Sequence, residues 1–172
     1  MLFLKNKKIW MLPALWLSIL ACGYQFSGGG NFPAGIRSIS INMFENPTAE
    51  TGVENVFTND LIYELTRAKK VILTTKDHAD AILTGVIASL QTHTITHRGQ
   101  STSLERRITV TIDLMINDAG GRLIWSAKNV SAYEEYNVSS DKQVTERNRQ
   151  NAISELSKRL AENIYNRLTD DF

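Results

Sequence analysis

The stretch from Leu104 to Asn117 alternates apolar and polar side chains more clearly than any other part of the chain. Such alternation is typical of a β-strand that buries one face and leaves the other face exposed. The predicted inward residues are Leu104, Ile108, Val110, Ile112, Leu114 and Ile116, and the predicted outward residues are Glu105, Arg107, Thr109, Thr111, Asp113 and Asn117. The chain therefore has to build a sheet with one apolar face, and other apolar elements have to cover that face.

The segment after this strand predicts a hairpin with an irregular second strand. The sequence Asp-Ala-Gly-Gly at 118–121 supplies the turn, because glycine adopts positive φ without strain. In the returning strand Trp125 shares its parity with the apolar residues before it, whereas Val130 and Tyr136 have the opposite parity. One inserted residue moves every later side chain to the other face, so we expect a bulge near Lys128–Asn129.

Two amphipathic helices are predicted, one on each side of this strand-rich region. The first follows Thr51, which with Glu54 matches a capping box. The second extends over about 141–168, with Ser140 and Gln143 as its predicted cap. Their apolar residues recur at steps of three and four: Val53, Val56, Phe57, Leu61, Leu65 and Ala68 in the first, and Ile153, Leu156, Leu160, Ile164 and Leu168 in the second.

Further strands complete the predicted sheet. Residues 38–43 alternate, with Ile39, Ile41 and Met43 on the inward side, and residues 69–75 form a short strand after the first helix. The residues from Ala81 to Leu90 are apolar on both faces, which is typical of a central strand. The order strand, helix, strand favours a right-handed parallel crossover. We therefore predict an α+β fold, with two helices on one face of a mixed four- to five-stranded sheet and a Thr-rich, charged face left open.

The N-terminal region has the pattern of a secretion signal. Three lysines precede an apolar run of 13 residues from Ile9 to Ala21, which is shorter than the ~20 residues that a membrane-spanning helix needs. A short retained membrane anchor is the alternative. Ile19-Leu20-Ala21-Cys22 resembles a lipobox, so we expect cleavage before Cys22 and acylation of its thiol, although Leu20 is bulkier than usual. The resulting division is a signal peptide at 1–21, a lipidated tether at 22–35 and one domain at 36–172.

Composition and motifs exclude several classes of function. Without the three lysines of the predicted signal peptide, the chain has 16 basic and 18 acidic residues. It therefore has no overall positive charge that would favour binding to nucleic acid. The glycine-rich tether lacks the lysine and hydroxyl residue of a phosphate loop, and no Gly-x-Ser-x-Gly turn is present. His93 and His97 are four residues apart on a predicted strand, or ~13 Å, too far to share one metal ion. We therefore expect neither a metal, nor a cofactor, nor an enzyme activity.

Basic side chains are the best candidates for binding an anion. Guanidinium groups bind phosphate through paired hydrogen bonds, although for any one residue a solvated charge is the more common role. The candidates lie between the long strands, at the start of the alternating strand, and near the last helix: Arg98, Arg106, Arg107, Lys128 and Lys142.

The order and spacing of several segments are similar to those of the LptE family of lipopolysaccharide-assembly lipoproteins. The segments are Cys22–Phe26, Phe32–Thr48, Asp80–Gly85, Arg106–Ile116 and Leu160–Leu168. The resemblance covers nearly the whole chain after Cys22. It implies two helices against a mixed sheet.

The resemblance also implies a function. It predicts an outer-membrane lipoprotein on the periplasmic side, held by acylated Cys22, that plugs an LptD-like β-barrel and binds lipopolysaccharide. Gly23 after the cysteine is compatible with sorting to the outer membrane. In this comparison Arg98 matches the family's basic residue in the turn between strands, and Lys142 matches a second one only approximately. The alternatives are an envelope scaffold lipoprotein without a lipid ligand and, third, a lipid-anchored hydrolase.

Overall fold

A computed structural model describes residues 32–95 and 104–170 of the chain. Its strands are β1 (Ser38–Ile41), β2 (Ile72–Leu73), β3 (Ala81–Ile95), β4 (Glu105–Asp118) and β5 (Leu123–Asn137). Its helices are α1 (Val53–Ala68), between β1 and β2, and α2 (Lys142–Asp170), after β5. Short 3-10 turns occur at Pro33–Gly35 and Lys76–His78. The predicted signal, Cys22 and most of the tether lie outside the described residues.

The five strands form one mixed sheet in the order β2-β1-β3-β4-β5. β1 pairs in parallel with both β2 and β3, whereas β3, β4 and β5 are antiparallel neighbours. The parallel β1–α1–β2 unit agrees with the predicted crossover, and β3 is central as its two apolar faces indicated. The predicted α+β fold of two helices and a five-stranded mixed sheet is confirmed.

The predicted bulge in β5 is present at Lys128–Asn129. Ile112 pairs with Val130 and Leu114 pairs with Ala127, so two residues of β5 lie opposite Asp113 alone. Asn129 takes a positive φ of 55°, and its backbone N–H donates to Asp113 Oδ1 at 2.8 Å. The bulge reverses the parity of β5, so Trp125 before it and Val130 after it are both buried.

The core lies between the sheet and the two helices. The five apolar residues predicted for α2 are all at most 3% exposed, and Phe57, Leu61 and Leu65 of α1 are at most 2% exposed. Ile108, Val110, Ile112, Leu114 and Ile116 of β4 are likewise buried. Leu104 is the exception at 43% exposure, because it precedes β4 at the end of the sheet that extends past the core.

Both predicted helix caps differ in the structure. The N-cap of α1 is Gly52, with a φ of 89°, rather than Thr51, although Glu54 still accepts the backbone N–H of Gly52. At α2 the side chain of Asp141, rather than that of Ser140, accepts the N–H of Gln143 at 2.7 Å. Gly52 tolerates the left-handed backbone at the start of α1, because glycine has no Cβ atom. At the start of α2 the carboxylate of Asp141 is a strong acceptor, because a helix N-terminus favours negative charge.

β1 is shorter than the sequence pattern indicated, and Phe44 replaces Met43 as the buried residue after it. β1 ends at Ile41, Met43 is 61% exposed, and Phe44 is 3% exposed. The ring of Phe44 lies against Gly85 of β3, and the backbone N–H of Phe44 donates to Thr58 Oγ1 of α1 at 3.0 Å. Phe44 therefore joins α1 to the centre of the sheet.

Candidate functional site

The outward face of the sheet is a polar surface that the pairing of β3, β4 and β5 positions. Register places its side chains in rows across β3, β4 and β5, and no described helix covers them. Three successive rows are His93–Arg107–Glu135, Gln91–Thr109–Tyr133 and Ser89–Thr111–Ser131. The face is rich in hydroxyl, amide and charged groups, as the alternation of β4 predicted.

Arg107 is held in place on this outward face. Its Nη2 and Nε atoms donate to Glu135 Oε1 at 2.6 and 3.0 Å, and its guanidinium lies 4.5 Å from the centre of the Tyr133 ring. The hydrogen bond to Glu135 raises the pKa of Arg107 above its already high value, so the group is always charged. A phosphate would have to compete with Glu135 for the guanidinium, although Arg107 and Glu135 keep 43% and 40% exposure.

Arg106 points to the opposite side of the sheet. It is adjacent to Arg107 in an extended strand, so its side chain lies on the helix side, between Thr94 and Tyr136 in register. There β4 extends past the core, and Arg106 is partly exposed. The two neighbouring arginines therefore belong to different surfaces at one end of the sheet.

The two candidate lysines lie far from each other. Lys142 is the first residue of α2, at the same end as Arg106, where Val138 N–H donates to Leu104 O at 2.8 Å. Lys128 lies in the bulge opposite Asp113, six residues along β4 from Arg107, or roughly 20 Å away. Arg106, Arg107 and Lys142 thus share one end of the molecule and Lys128 does not. Arg98 lies outside the described residues, in the sequence between β3 and β4.

An open cavity of about 400 Å³ lies at the other end of the sheet, by the β4–β5 turn. Asp80 and Asp118 line it, and both carboxylates are already engaged. Asp80 Oδ2 accepts the backbone N–H groups of Arg37 and Ser38 at 3.1 and 2.9 Å, and Asp118 accepts the N–H and Nε of Arg122. Hydrogen bonds lower the pKa of both, from Ser38 for Asp80 and from the Arg122 backbone for Asp118. They are ionised at neutral pH, so neither can donate a proton there.

The described residues form neither a metal-binding cluster nor a membrane-spanning helix. Within 32–95 and 104–170, no three His, Cys, Asp or Glu side chains are grouped to hold a metal. His93 Nε2 lies 3.3 Å from Gln91 Oε1. His97 lies outside the described residues. Neither helix of the described chain has an apolar run long enough to span a membrane.

Two features of this region were not found from the sequence. Tyr133, 52% exposed and stacked with Arg107, becomes outward-facing only because of the bulge before it. Arg159 of α2 lies at the edge of β5 and donates to Tyr133 O at 3.0 Å. The change of parity in β5 could have indicated that Tyr133 faces outward, whereas the position of Arg159 depends on how α2 packs on the sheet.

Solved structures of bacterial lipoproteins share this fold. A minor lipoprotein from Acinetobacter baumannii has a TM-score of 0.52 at 18% identity, over 78% of this chain and 92% of that chain. Lipoprotein B from Nitrosomonas europaea has a TM-score of 0.54 at 13% identity, over 85% of this chain and 87% of that chain. At these identities the likeness shows the fold alone. A search of curated proteins gave no match.

A family model matches most of this chain. The model of the LptE family, described as lipopolysaccharide-assembly, matches residues 36–168, which run from just before β1 almost to the end of α2. The match thus covers both helices and all five strands. The chain belongs to the LptE lipopolysaccharide-assembly family.

Proposed function

We propose that this chain is a lipid-anchored, non-enzymatic component of lipopolysaccharide assembly at the outer membrane. Acylated Cys22 holds it in the periplasmic leaflet, and the folded domain sits in the lumen of an LptD-like β-barrel and binds lipopolysaccharide. The observation that carries the proposal is the family match over 36–168. A lipid anchor with several acyl chains gives firm attachment, because each buried methylene adds ~0.8 kcal/mol.

The shape and polarity of the sheet support the placement in a barrel. A wide barrel has a polar, water-filled interior, and the outward sheet face presents hydroxyl, amide and charged groups. β3 and β4 stay paired as far as Ile95 and Glu105, three residues beyond Ile108, which is the last fully buried residue of β4 toward this end. The outward side of this ribbon carries His93, Arg107 and Thr109, so it can present polar groups to a water-filled lumen.

The basic end of the molecule is the proposed contact for the phosphates of lipid A. Arg106 and Lys142 lie there, and Arg98 belongs to the connection between β3 and β4. Arg107 contributes if the phosphate displaces Glu135 from it. Lys128 lies away from this end, so it would have to contact another part of the same ligand.

Purification from detergent-solubilised outer membranes tests the partner. We expect a tagged full chain to recover an LptD-like barrel in about equal amount, since one domain would occupy one lumen. Recovery of a different envelope complex, without a barrel, would instead support the scaffold alternative. Labelled fatty acid should attach to the wild-type chain and not to Cys22→Ser.

A binding assay with immobilised lipopolysaccharide tests the ligand. We expect Arg98→Ala/Lys142→Ala to weaken binding at least ~10-fold, because each lost charge-assisted hydrogen bond contributes about 1.5–3 kcal/mol. Lys76→Ala/Arg167→Ala is the matched control, since both side chains are exposed and away from the candidate set. Equal binding by the two double variants would show that the basic end is not the contact.

A further inference from the structure

The chain enters the folded domain beside the open cavity at the β4–β5 turn. Phe32 and Ile36 are buried, at 5% and 7% exposure, and the 3-10 turn between them, Pro33–Gly35, lies beside β5. Gly35 and Ile36 also line the cavity. The tether that precedes Phe32 therefore joins the domain within a few residues of this cavity.

The cavity combines an apolar wall with two carboxylates. Ile36, Leu123 and Ile124 supply the apolar wall, and Asp80 and Asp118 supply the carboxylates. Leu123 is 54% exposed, so a large part of its apolar surface has no protein cover in the described chain. A carboxylate accepts about four hydrogen bonds, so each can take a further donor besides the groups already bonded to it. An aromatic ring that carries an O–H group matches this lining.

Tyr24 carries such a ring, and the tether is long enough to bring it to the cavity. Tyr24 and Phe32 are eight residue steps apart, which allows a span of up to ~28 Å. Gly35, which lines the cavity, is three steps beyond Phe32 and so at most ~11 Å from it. Three glycines at 28–30 lie between, and glycine adopts positive as well as negative φ, so the backbone can turn back toward the domain.

Other candidate occupants match the cavity less well. Phe26 is also within reach, but its ring has no donor for a carboxylate. Asp80 and Asp118 are ionised at neutral pH, because hydrogen bonds lower the pKa of both. A lipid acyl chain would place apolar groups against these two charges, and a lipid phosphate would be repelled by them.

We propose that the ring of Tyr24 seats in this cavity against Leu123, with its O–H donating to Asp80 or Asp118. Contact between the ring and Leu123 removes apolar surface of both from water, which stabilises the docked tether. Only Gly23 separates Tyr24 from Cys22, so the docked ring holds the cysteine within roughly 7 Å of Tyr24. With Cys22 acylated, which rests on the proposed function, the β4–β5 end of the sheet is held at the membrane surface, because little free tether remains between the lipid and the domain.

Urea unfolding of the full chain in detergent tests the contact by a double-mutant cycle. Tyr24→Ala and Leu123→Ala should each lower the folding equilibrium constant at least ~5-fold, and the double variant should lower it little further, because both changes remove one contact. Tyr24→Phe should have an intermediate effect, since it keeps the ring and loses the O–H. A Tyr24→Phe variant as stable as wild type would refute the hydrogen bond to a carboxylate.

Ile72→Ala is the matched control. Ile72 is 68% exposed and its N–H donates to Arg37 O at 2.9 Å, so it too lies near the point where the tether enters, but it does not line the cavity. Its effect should add to that of Tyr24→Ala. Hydrogen exchange locates the contact: amides at 118–124 should exchange at least ~3-fold faster in Tyr24→Ala and at the wild-type rate in Ile72→Ala.

The same cycle in Cys22→Ser separates this proposal from the proposed function. Non-additivity that persists in Cys22→Ser supports docking of the ring, whether or not the wild type is acylated. Non-additivity confined to the acylated chain would assign the cavity to an acyl chain, and additive effects in both backgrounds would show that Tyr24 does not dock there. Either result, or unchanged exchange at 118–124 in Tyr24→Ala, overturns the proposal. Failure of labelled fatty acid to attach to the wild type would overturn the lipid anchor alone.

Discussion

The contact between Phe44 and Gly85 gives the sharpest test of how this fold is held together. A Cβ atom added at Gly85 would lie 2.7 Å from Cδ1 and Cε1 of Phe44 and 2.9 Å from its Cζ. The ring cannot move freely, because it is only 3% exposed and its backbone N–H is bonded to Thr58. Gly85→Ala should therefore strain the centre of the sheet.

The expected magnitude combines two opposing effects. Forcing extra volume into a packed core costs about 1–3 kcal/mol, whereas replacing glycine by alanine gains about 0.4–1 kcal/mol through the unfolded chain. We expect a net loss of about 1–2 kcal/mol for Gly85→Ala. Phe44→Ala alone should cost about 3–5 kcal/mol, as for other buried aromatic residues.

Equilibrium urea unfolding of four proteins measures the coupling directly. In the Phe44→Ala background the added methyl group meets no ring, so Gly85→Ala should be neutral or slightly stabilising. The interaction free energy should be about 1–3 kcal/mol, which lies within the range for residues in contact. If Gly85→Ala costs the same free energy with and without the Phe44 ring, the steric reasoning is refuted.

Three further predictions concern charged and polar groups. Arg149→Met should lower the free energy of unfolding by about 1–3 kcal/mol in urea titrations, because it leaves Glu50, 29% exposed, without its guanidinium partner; no loss would show that the pair contributes nothing. Hydrogen bonds from Ser38 keep the pKa of Asp80 below its ordinary value, so its stabilising contribution is present above about pH 4 and is lost as pH falls through the folded pKa. Thermal melts of Asp80→Asn should accordingly depend less on pH below about 5 than those of wild type, and parallel curves would contradict this. Ser157 is 1% exposed and its hydroxyl has no partner among the described residues, so Ser157→Ala should be neutral or stabilising by about 1 kcal/mol in chemical unfolding; a marked loss would reveal a missing hydrogen bond.

The regular elements of the fold could be predicted from the sequence because each has one dominant period. The alternation of β4, the apolar stripe of α2 and the parity change in β5 each depend on local side-chain spacing. The ends of elements were harder to place. Ser140 and Asp141 are both good cap residues, and only the backbone path at α2 selects Asp141.

The candidate site was predicted less completely, because its geometry depends on pairing between strands. The sequence marks Arg107 as basic and outward-facing, but its ion pair with Glu135 follows from a register across 28 residues. The separation of Lys128 from Lys142 follows in the same way from the bulge and the length of β5. Cys22 and Arg98 lie outside the described residues, so their roles stay predictions.

The extra residue in β5 has a consequence for how this part of the chain can change. Deleting Asn129 alone would leave only Lys128 opposite Asp113 and would remove the bulge, so Val130 would still pair with Ile112 and the later positions would keep their orientation. A one-residue deletion between Val130 and Asn137 would instead reverse the orientation of the positions after it, and only a second length change could restore it. We therefore expect related chains to gain or lose a residue in this strand at the bulge rather than after it, and to vary by single substitutions along its exposed side.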